Sequence, residues 1–235
     1  MKGDSTQELA TFYQAYCDFN LGSYTLSSSH FKKFAEVFSR SEFAEEAIYM
    51  SAFSLYKDSP NFNLDQTGTL AAINEIQSYL NNYPETKFKD DCTNIIKELR
   101  KKLEKKAFEK AKLYYKTSPF NIASLKSSVI EITNFQRDFP DSDYSEEMAY
   151  MKVLAQFDLS KSTIESKQKE RYSEASKFYL ELIDKYPQST YLKEGEKMYE
   201  LSNKEVDRIA KLEAEYKTML EKEKSTTSKV ATGPQ

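Results

Sequence analysis

One short motif occurs four times in this chain and divides it into units of similar length. It consists of an aromatic residue, usually Pro, a polar pair around Ser or Thr, and a second aromatic residue five positions after the first. The copies are FSRSEF, YPETKF, FPDSDY and YPQSTY, at residues 38–43, 83–88, 139–144 and 186–191. Pro cannot continue a helix, whereas Ser or Thr can cap the next one. Each copy therefore predicts a corner between two helices.

The residues before every corner repeat the same side-chain types at the same distances from its first aromatic. The residue four positions before the first aromatic is large and apolar in each copy: Phe34, Tyr79, Phe135 and Leu182. The same holds seven positions before it, for Phe31, Ile76, Ile132 and Tyr179. Eleven positions before it the side chain is small: Ser27, Ala72, Ser128 and Ala175. These positions share one helical face, and the small residue allows a neighbouring helix to approach closely.

Carboxylates recur at the second and third positions after the corner. They are Glu45 and Glu46, Asp90 and Asp91, Glu146 and Glu147, with Glu194 alone in the last copy. Acidic residues at these positions suit the positive end of a new helix. The sequence therefore predicts that a helix begins directly after each corner.

The spacing of the corners predicts the fold class. The four copies begin at residues 38, 83, 139 and 186, and a repeat of this period built from two helices predicts an all-α, tetratricopeptide-like (TPR) helix-hairpin solenoid. Residues 21–24, followed by Ser27 and Phe31, resemble the turn and second helix of a TPR. We expect one solenoid over residues 6–220 with about four helix pairs, followed by a disordered tail at residues 221–235.

A long helix is predicted in the middle of the chain. Neither Gly nor Pro occurs between residues 85 and 118. Apolar residues recur there every four positions, at Ile95, Leu99, Leu103, Ala107 and Ala111. A continuous helix of about 30 residues would be about 45 Å long. Residues 98–112 of this helix contain seven Lys or Arg and three Glu, and we interpret this basic face as solvated surface rather than a binding stripe.

Two connections differ from tight TPR turns. The loop at residues 58–67 is long, yet it carries Phe62 and Leu64, so we expect an ordered and packed loop; contact with a ligand is the alternative. Residues 160–169 are polar, and their composition predicts a mobile connection.

Composition and motifs argue against several classes of function. The net charge of −3 does not suit nucleic acid as a general partner. The single histidine, His30, lies near no cysteine in the sequence, and the chain has no phosphate-binding Gly loop, nucleophile elbow or HExxH motif. We interpret Cys17 and Cys92 as small apolar residues. The sequence therefore predicts a protein that is not an enzyme and needs no metal or cofactor.

The surface of the repeats is the predicted functional site. In helix-pair solenoids the first helices line the concave face, so their aromatic side chains are candidates to hold an extended peptide. We select Tyr16, Tyr49, Phe53, Tyr56 and, in the long loop, Phe62. The alternative is that most of these side chains belong to the core.

Three segments resemble one protein family in detail. They are residues 56–67 (YKDSP, then NLDQT), residues 105–116 (KKAFEKAKLYYK), and residues 167–172 (KQKERY) with the last corner. They resemble the BamD family, the TPR lipoprotein of the bacterial outer-membrane β-barrel assembly (BAM) machinery, over about residues 6–205. The resemblance implies five TPR units, no catalysis and a lipid-anchored position on the periplasmic face of the outer membrane.

The resemblance also implies partners. The C-terminal repeats of the chain would bind the POTRA domains of BamA within a complex with other BAM subunits. The N-terminal repeats would recognise C-terminal signals of unfolded barrel proteins. For the POTRA interface we select residues around the last unit: Lys169, Arg171, Lys177, Lys185 and Lys193. The alternatives are a cytosolic or periplasmic TPR peptide-binding adaptor outside that complex, including one that acts with peptidoglycan enzymes.

The start of the sequence departs from the family pattern. The family begins with a lipoprotein signal, a lipidated cysteine and a first TPR unit. Here no apolar run follows Met1, and Cys17 lies within a predicted helix and follows no lipobox. We therefore expect contact with the membrane only through a lipid anchor that this chain lacks.

Overall fold

The computed structural model describes residues 5–231, and this part of the chain is all-helical. It contains nine α-helices, one short 3-10 helix at Ser118–Phe120 and no β-strand. The α-helices are α1 Ser5–Asn20, α2 Tyr24–Val37, α3 Ala44–Asp58, α4 Thr67–Asn82, α5 Lys89–Thr117, α6 Ile122–Asp138, α7 Ser145–Lys161, α8 Glu165–Lys185 and α9 Leu192–Ala231. The predicted all-α, TPR-like fold is confirmed.

All four repeated motifs are corners between helices, as predicted. The first aromatic ends a helix and donates its N–H to the carbonyl four residues earlier, as Tyr186 does to Leu182 at 2.8 Å. The Ser or Thr then accepts a hydrogen bond from the N–H of the second aromatic; the bond from Phe43 to Ser41 Oγ is 3.0 Å long. Phe38, which no Pro follows, has a backbone close to that of Tyr186. Local capping therefore shapes the corner with or without proline.

The predicted core face is buried in every repeat. Each of the twelve residues that lie four, seven or eleven positions before a corner is at most 5% exposed. The small residues mark places where helices meet closely. Ser27 Oγ donates to the Ala15 carbonyl at 3.0 Å, and Ser128 Oγ donates to the Ala111 carbonyl at 3.2 Å. The small hydroxyl thus replaces a bulky side chain and bonds directly to the backbone of the adjacent helix.

The chain forms two compact units, residues 1–106 and 107–235. The division falls within α5, which is one continuous helix of 29 residues, as predicted. In the first unit, α1 to α4 and the start of α5 surround one core that contains Phe12, Phe34 and Leu99. In the second unit, the described residues form three smaller clusters around Phe135, Tyr179 and Tyr172.

The structure differs from the sequence predictions at two places in the second unit. The connection expected at residues 160–169 is only residues 162–164, because α8 already begins at Glu165. Gln168 Nε2 donates to the Thr163 carbonyl at 3.1 Å and fastens this turn. At the other place, α9 includes residues 221–231, where we expected a disordered tail. Neither Gly nor Pro occurs between Gly195 and Gly233 to end the helix; residues 232–235 lie outside the described part.

Candidate peptide- and partner-binding surfaces

Neighbouring first helices are joined by hydrogen bonds between tyrosine and carboxylate side chains. In each pair the phenol of one helix donates to a carboxylate of the next first helix, at 2.5 to 2.9 Å. The pairs are Tyr16–Glu46 and Tyr56–Glu98 in the first unit, and Tyr115–Asp158 and Tyr150–Glu194 in the second. The same polar link therefore recurs in both units.

The links contribute to a raised pKa of the phenols. Burial raises the pKa of Tyr16, and its hydrogen bond to Glu46 and the charge of that residue raise it further. For Tyr56 the hydrogen bond to Glu98 is the main cause of the raised pKa. From the sequence we explained Glu46 and Glu194 only as acids at helix starts. The missed signal is a tyrosine 30 to 44 residues before the carboxylate.

Tyr16 and Tyr49, two of the five predicted peptide-binding residues, pack mainly within the first unit. Tyr49 is only 7% exposed, and its ring stacks on Phe88 with centroids 3.8 Å apart. Burial raises its pKa to about 12. Tyr16 is half-buried and meets Phe31 edge to face at 4.9 Å. Tyr49 therefore offers almost no surface to a peptide, and Tyr16 offers part of its ring.

The other three predicted residues, Phe53, Tyr56 and Phe62, are partly exposed, and we call them the aromatic surface. The Lys57 ammonium lies 5.1 Å from the ring centroids of both Phe53 and Tyr56. The Lys105 ammonium lies 6.0 Å from the Phe62 ring. At exposed sites the attraction between an ammonium group and an aromatic ring contributes about 0.5–1 kcal/mol. The aromatic surface thus combines apolar rings with positive charge.

Lysines of α5 hold the loop that carries Phe62. Lys102 Nζ donates to Ser59 Oγ at 2.6 Å, and Lys106 Nζ donates to the Leu64 carbonyl. Within the loop, the buried Gln66 donates its Nε2 to the Asn61 carbonyl at 2.7 Å. The loop is therefore fixed by polar bonds, but Leu64 is 55% exposed rather than packed as we expected. Part of the basic run of α5 serves to order this loop.

The five predicted partner-binding residues all lie in the second unit. Four are on α8 and one is in the first turn of α9: Lys169, Arg171, Lys177, Lys185 and Lys193. A helix turns by about 100° per residue, so side chains eight residues apart differ by about 80°. Lys177 therefore lies about 80° from both Lys169 and Lys185, and Lys169 and Lys185 lie on nearly opposite faces of α8.

These basic residues differ in how closely they contact other side chains of the same chain. Lys169 Nζ lies 2.5 Å from a carboxylate oxygen of Glu213, and Arg171 donates to the Thr163 hydroxyl. Lys177 is 73% exposed and lies 3.9 Å from Glu181. Lys185 and Lys193 are also exposed. We call Lys177, Lys185 and Lys193 the basic edge, because these three present the most accessible charge of the set.

A comparison with protein families gives a match over both units. The model of the YfiO family, described as an outer membrane lipoprotein, matches residues 4–124 and 118–226. The chain belongs to the YfiO family. This family and the BamD family are the same, so the resemblance seen in the sequence is confirmed at the level of the family. No curated protein matches the sequence significantly.

Other features of this YfiO-family chain bear on chemistry. In residues 5–231, no three His, Cys, Asp or Glu side chains come together in a way that could hold a metal ion. His30 Nδ1 lies 2.7 Å from Asp18. Cys17 is exposed, whereas Cys92 is buried, which raises the pKa of its thiol to about 11. Among the described helices, none is both long and apolar enough to cross a bilayer.

Proposed function

We propose that this chain is a non-enzymatic scaffold subunit of the outer-membrane β-barrel assembly complex, at the periplasmic face of the outer membrane. In this role it binds the POTRA domains of BamA, together with other BAM subunits, and also binds unfolded barrel proteins. The observation that carries the proposal is the YfiO family match across both units. The helix-hairpin architecture supports it, because stacked hairpins present long surfaces to other polypeptides.

The basic edge is the part of the second unit that we assign to the POTRA domains. Lys177, Lys185 and Lys193 are exposed, so an acidic surface of a partner can reach them without breaking a buried contact. Exposed charges at the rim of an interface steer association and select the partner. Lys169 and Arg171 contribute less in this scheme because Glu213 and Thr163 already engage them.

The aromatic surface is the part of the first unit that we assign to unfolded barrel proteins. Phe53, Tyr56 and Phe62 offer ring faces to apolar side chains of an extended peptide. Lys57 and Lys105 lie beside these rings and can attract the carboxylate at the end of a chain. Tyr49 supports the surface from within, since its ring stacks on Phe53 at 5.7 Å.

A pull-down with purified BamA POTRA domains tests the first assignment. We expect the intact chain to retain the POTRA domains at tens of micromolar, and the triple variant Lys177→Glu, Lys185→Glu, Lys193→Glu to lose them. The matched control reverses three exposed lysines of the first unit, Lys33, Lys97 and Lys101, and should bind normally. No retention by the intact chain contradicts membership in the complex.

Fluorescence anisotropy with a synthetic barrel C-terminal peptide tests the second assignment. We expect Phe62→Ala to weaken binding several-fold, whereas Leu64→Ala, an exposed apolar change in the same loop, should have little effect. Equal losses for the two variants would contradict a role for the aromatic ring. Peptide binding without POTRA binding would favour a TPR adaptor outside the complex.

A further inference from the structure

The last part of α9 carries an exposed apolar row. Leu212, Tyr216 and Met219 are 45%, 65% and 62% exposed, whereas Ile209, one turn earlier, is 5% exposed. Their spacing places all four on one helical face. Ile209 packs in a cluster with Tyr172 of α8. The row therefore continues the packing face of α9 towards and past the beginning of α8.

The beginning of α8 and this row of α9 line an open groove of about 670 Å³. Its floor contains the four apolar side chains Ile209, Leu212, Tyr216 and Met219. Ten residues separate the first from the last, so the floor is roughly 15 Å long, which corresponds to about three turns of a partner helix. A helix that docks in such a groove places apolar residues at intervals of three and four along one face.

The rim of the groove is acidic. Glu165 of α8 and Glu213 and Glu215 of α9 line it, and none of the described lining residues is Lys or Arg. Lys169 pairs with Glu213 at 2.5 Å and balances only part of this charge. A neighbouring groove along α9 differs, because Lys204, Asp207 and other residues of both signs line it. Of these two surfaces, only the groove lined by Glu165, Glu213 and Glu215 favours cations.

We propose that the acidic groove binds an amphipathic helix of a partner protein, with apolar residues on one face and Lys or Arg along its edges. Burial of the exposed row supplies the favourable apolar contact, and the three carboxylates select positive charge. A second copy of the chain fits less well, since it would bring its own Glu213 and Glu215 against the same rim. Anionic lipid headgroups would be repelled for the same reason.

This groove is separate from the basic edge. Glu165 and Lys185 lie at opposite ends of α8, which a helix of that length separates by about 30 Å. The groove also has the opposite charge. The inference therefore goes beyond the proposed POTRA and peptide surfaces, and its test can fail without affecting them.

The test uses fluorescence anisotropy with the full chain and a labelled synthetic helix. The probe is a peptide of about 18 residues with Leu at intervals of three and four and Lys at both edges; a matched peptide carries Glu in place of each Lys. We expect the Lys peptide to bind at least about tenfold more tightly than the Glu peptide. Equal affinities for the two peptides would overturn the proposal.

Variants locate the binding on the protein. We expect Glu213→Lys with Glu215→Lys, and separately Tyr216→Ala with Met219→Ala, to weaken the Lys peptide about tenfold. All four side chains are exposed, so circular dichroism should show an unchanged fold. The control pair Glu200→Lys and Asp207→Lys alters the neighbouring groove and should leave the affinity unchanged.

Three further results would overturn the proposal. The first is binding that the groove variants do not change. The second is a dimer in sedimentation experiments that Tyr216→Ala with Met219→Ala dissociates, which would assign the groove to a second copy. The third is binding of the chain to anionic phosphatidylglycerol vesicles that the same variant abolishes, which would assign the row to a lipid surface.

Discussion

The two units build the same helix hairpins around different cores. In the first unit the ring of Phe12 lies within 6.0 Å of those of Tyr16, Phe31 and Phe34, so aromatic contacts dominate one cluster. In the second unit the core is divided, and Lys152, only 8% exposed, lies inside it. The comparison shows that the corner motif, with buried residues at fixed spacing before it, is sufficient to define a hairpin. The remaining core positions can differ.

The surfaces of the units differ more than their folds. The first unit presents aromatic rings beside lysines, whereas the second presents a basic edge at one end of α8 and an acidic groove at the other. Burial lowers the pKa of Lys152, whose ammonium lies 4.1 Å from the Phe178 ring and donates to Gln136. Its ammonium also lies 4.0 Å from a carboxylate oxygen of the exposed Glu181.

The largest expected effect tests whether equivalent corner positions matter equally. Phe34→Ala in the first unit and Leu182→Ala in the second both empty a fully buried site four residues before a corner. We expect losses of about 3–5 and 2–5 kcal/mol in the free energy of unfolding, measured by urea denaturation. Val37→Ala is the control, because Val37 is 62% exposed. A loss as small as that of the control would contradict the shared role of this position.

Glycine substitutions sharpen the comparison of packing. A Cβ at Gly195 of α9 would lie 2.9 Å from the Tyr179 ring, so Gly195→Ala should destabilise the chain by about 1–3 kcal/mol. At Gly68 of α4 the nearest atom, Pro60 Cδ, is 3.6 Å away. Gly68→Ala should therefore stabilise by about 0.5–1 kcal/mol, since Ala favours a helix. Thermal unfolding of the two variants measures both, and shifts in the same direction would contradict the tighter packing at Gly195.

Alkaline pH tests the burial of Cys92 in the first unit. The Cys92 thiol has a pKa raised by burial from 9.0 to about 11, so the unfolded chain loses this proton before the folded chain does. The stabilising contribution is complete below pH 9 and is lost as the pH rises towards 11. We expect Cys92→Ala to remove part of the fall in stability across this range, measured by urea denaturation at several pH values. A fall in stability as steep in Cys92→Ala as in the intact chain would contradict this contribution.

A further comparison concerns the hydrogen bonds between tyrosine and carboxylate side chains. Tyr16→Phe in the first unit and Tyr150→Phe in the second each remove one hydrogen bond to a glutamate. Both sites are partly exposed, so we expect a loss of about 1 kcal/mol in each case, measured by urea denaturation. A matched control is Tyr13→Phe, whose side chain is 59% exposed. Unequal losses at the two links would show that the repeated bond does not carry the same weight in both units.

Local signals explain why the helices and corners could be predicted. The cap of Ser41 on Phe43 and the buried phase of Phe31 and Phe34 depend on residues within one hairpin. Two other features depend on side-chain contacts that the local pattern does not show. Tyr49 became a candidate for peptide binding because its stacking partner, Phe88, is distant in sequence. The polar composition of residues 160–169 predicted a mobile connection. It did not reveal that Gln168 and Arg171 hydrogen-bond to Thr163.

The acidic groove was also beyond the reach of the sequence. Leu212, Tyr216 and Met219 recur at helical spacing in the sequence, but their exposure depends on where α8 begins. In the fold, Ile209 packs with Tyr172 of α8, and the exposed pair of Lys169 with Glu213 lies one turn further along α9. The family, by contrast, could be recognised early because residues 56–67 and 105–116 form distinctive segments, and the loop they build is held together by Lys102 and Lys106.

Isothermal titration calorimetry of the full chain with purified BamA POTRA domains tests the proposed function most directly. We predict saturable binding that weakens at least about tenfold in the triple variant Lys177→Glu, Lys185→Glu, Lys193→Glu. Reversal of Lys33, Lys97 and Lys101 in the first unit should leave the affinity unchanged. No heat of binding with the intact, folded chain, or equal affinities for both triple variants, would contradict a POTRA-binding role for the basic edge of the second unit.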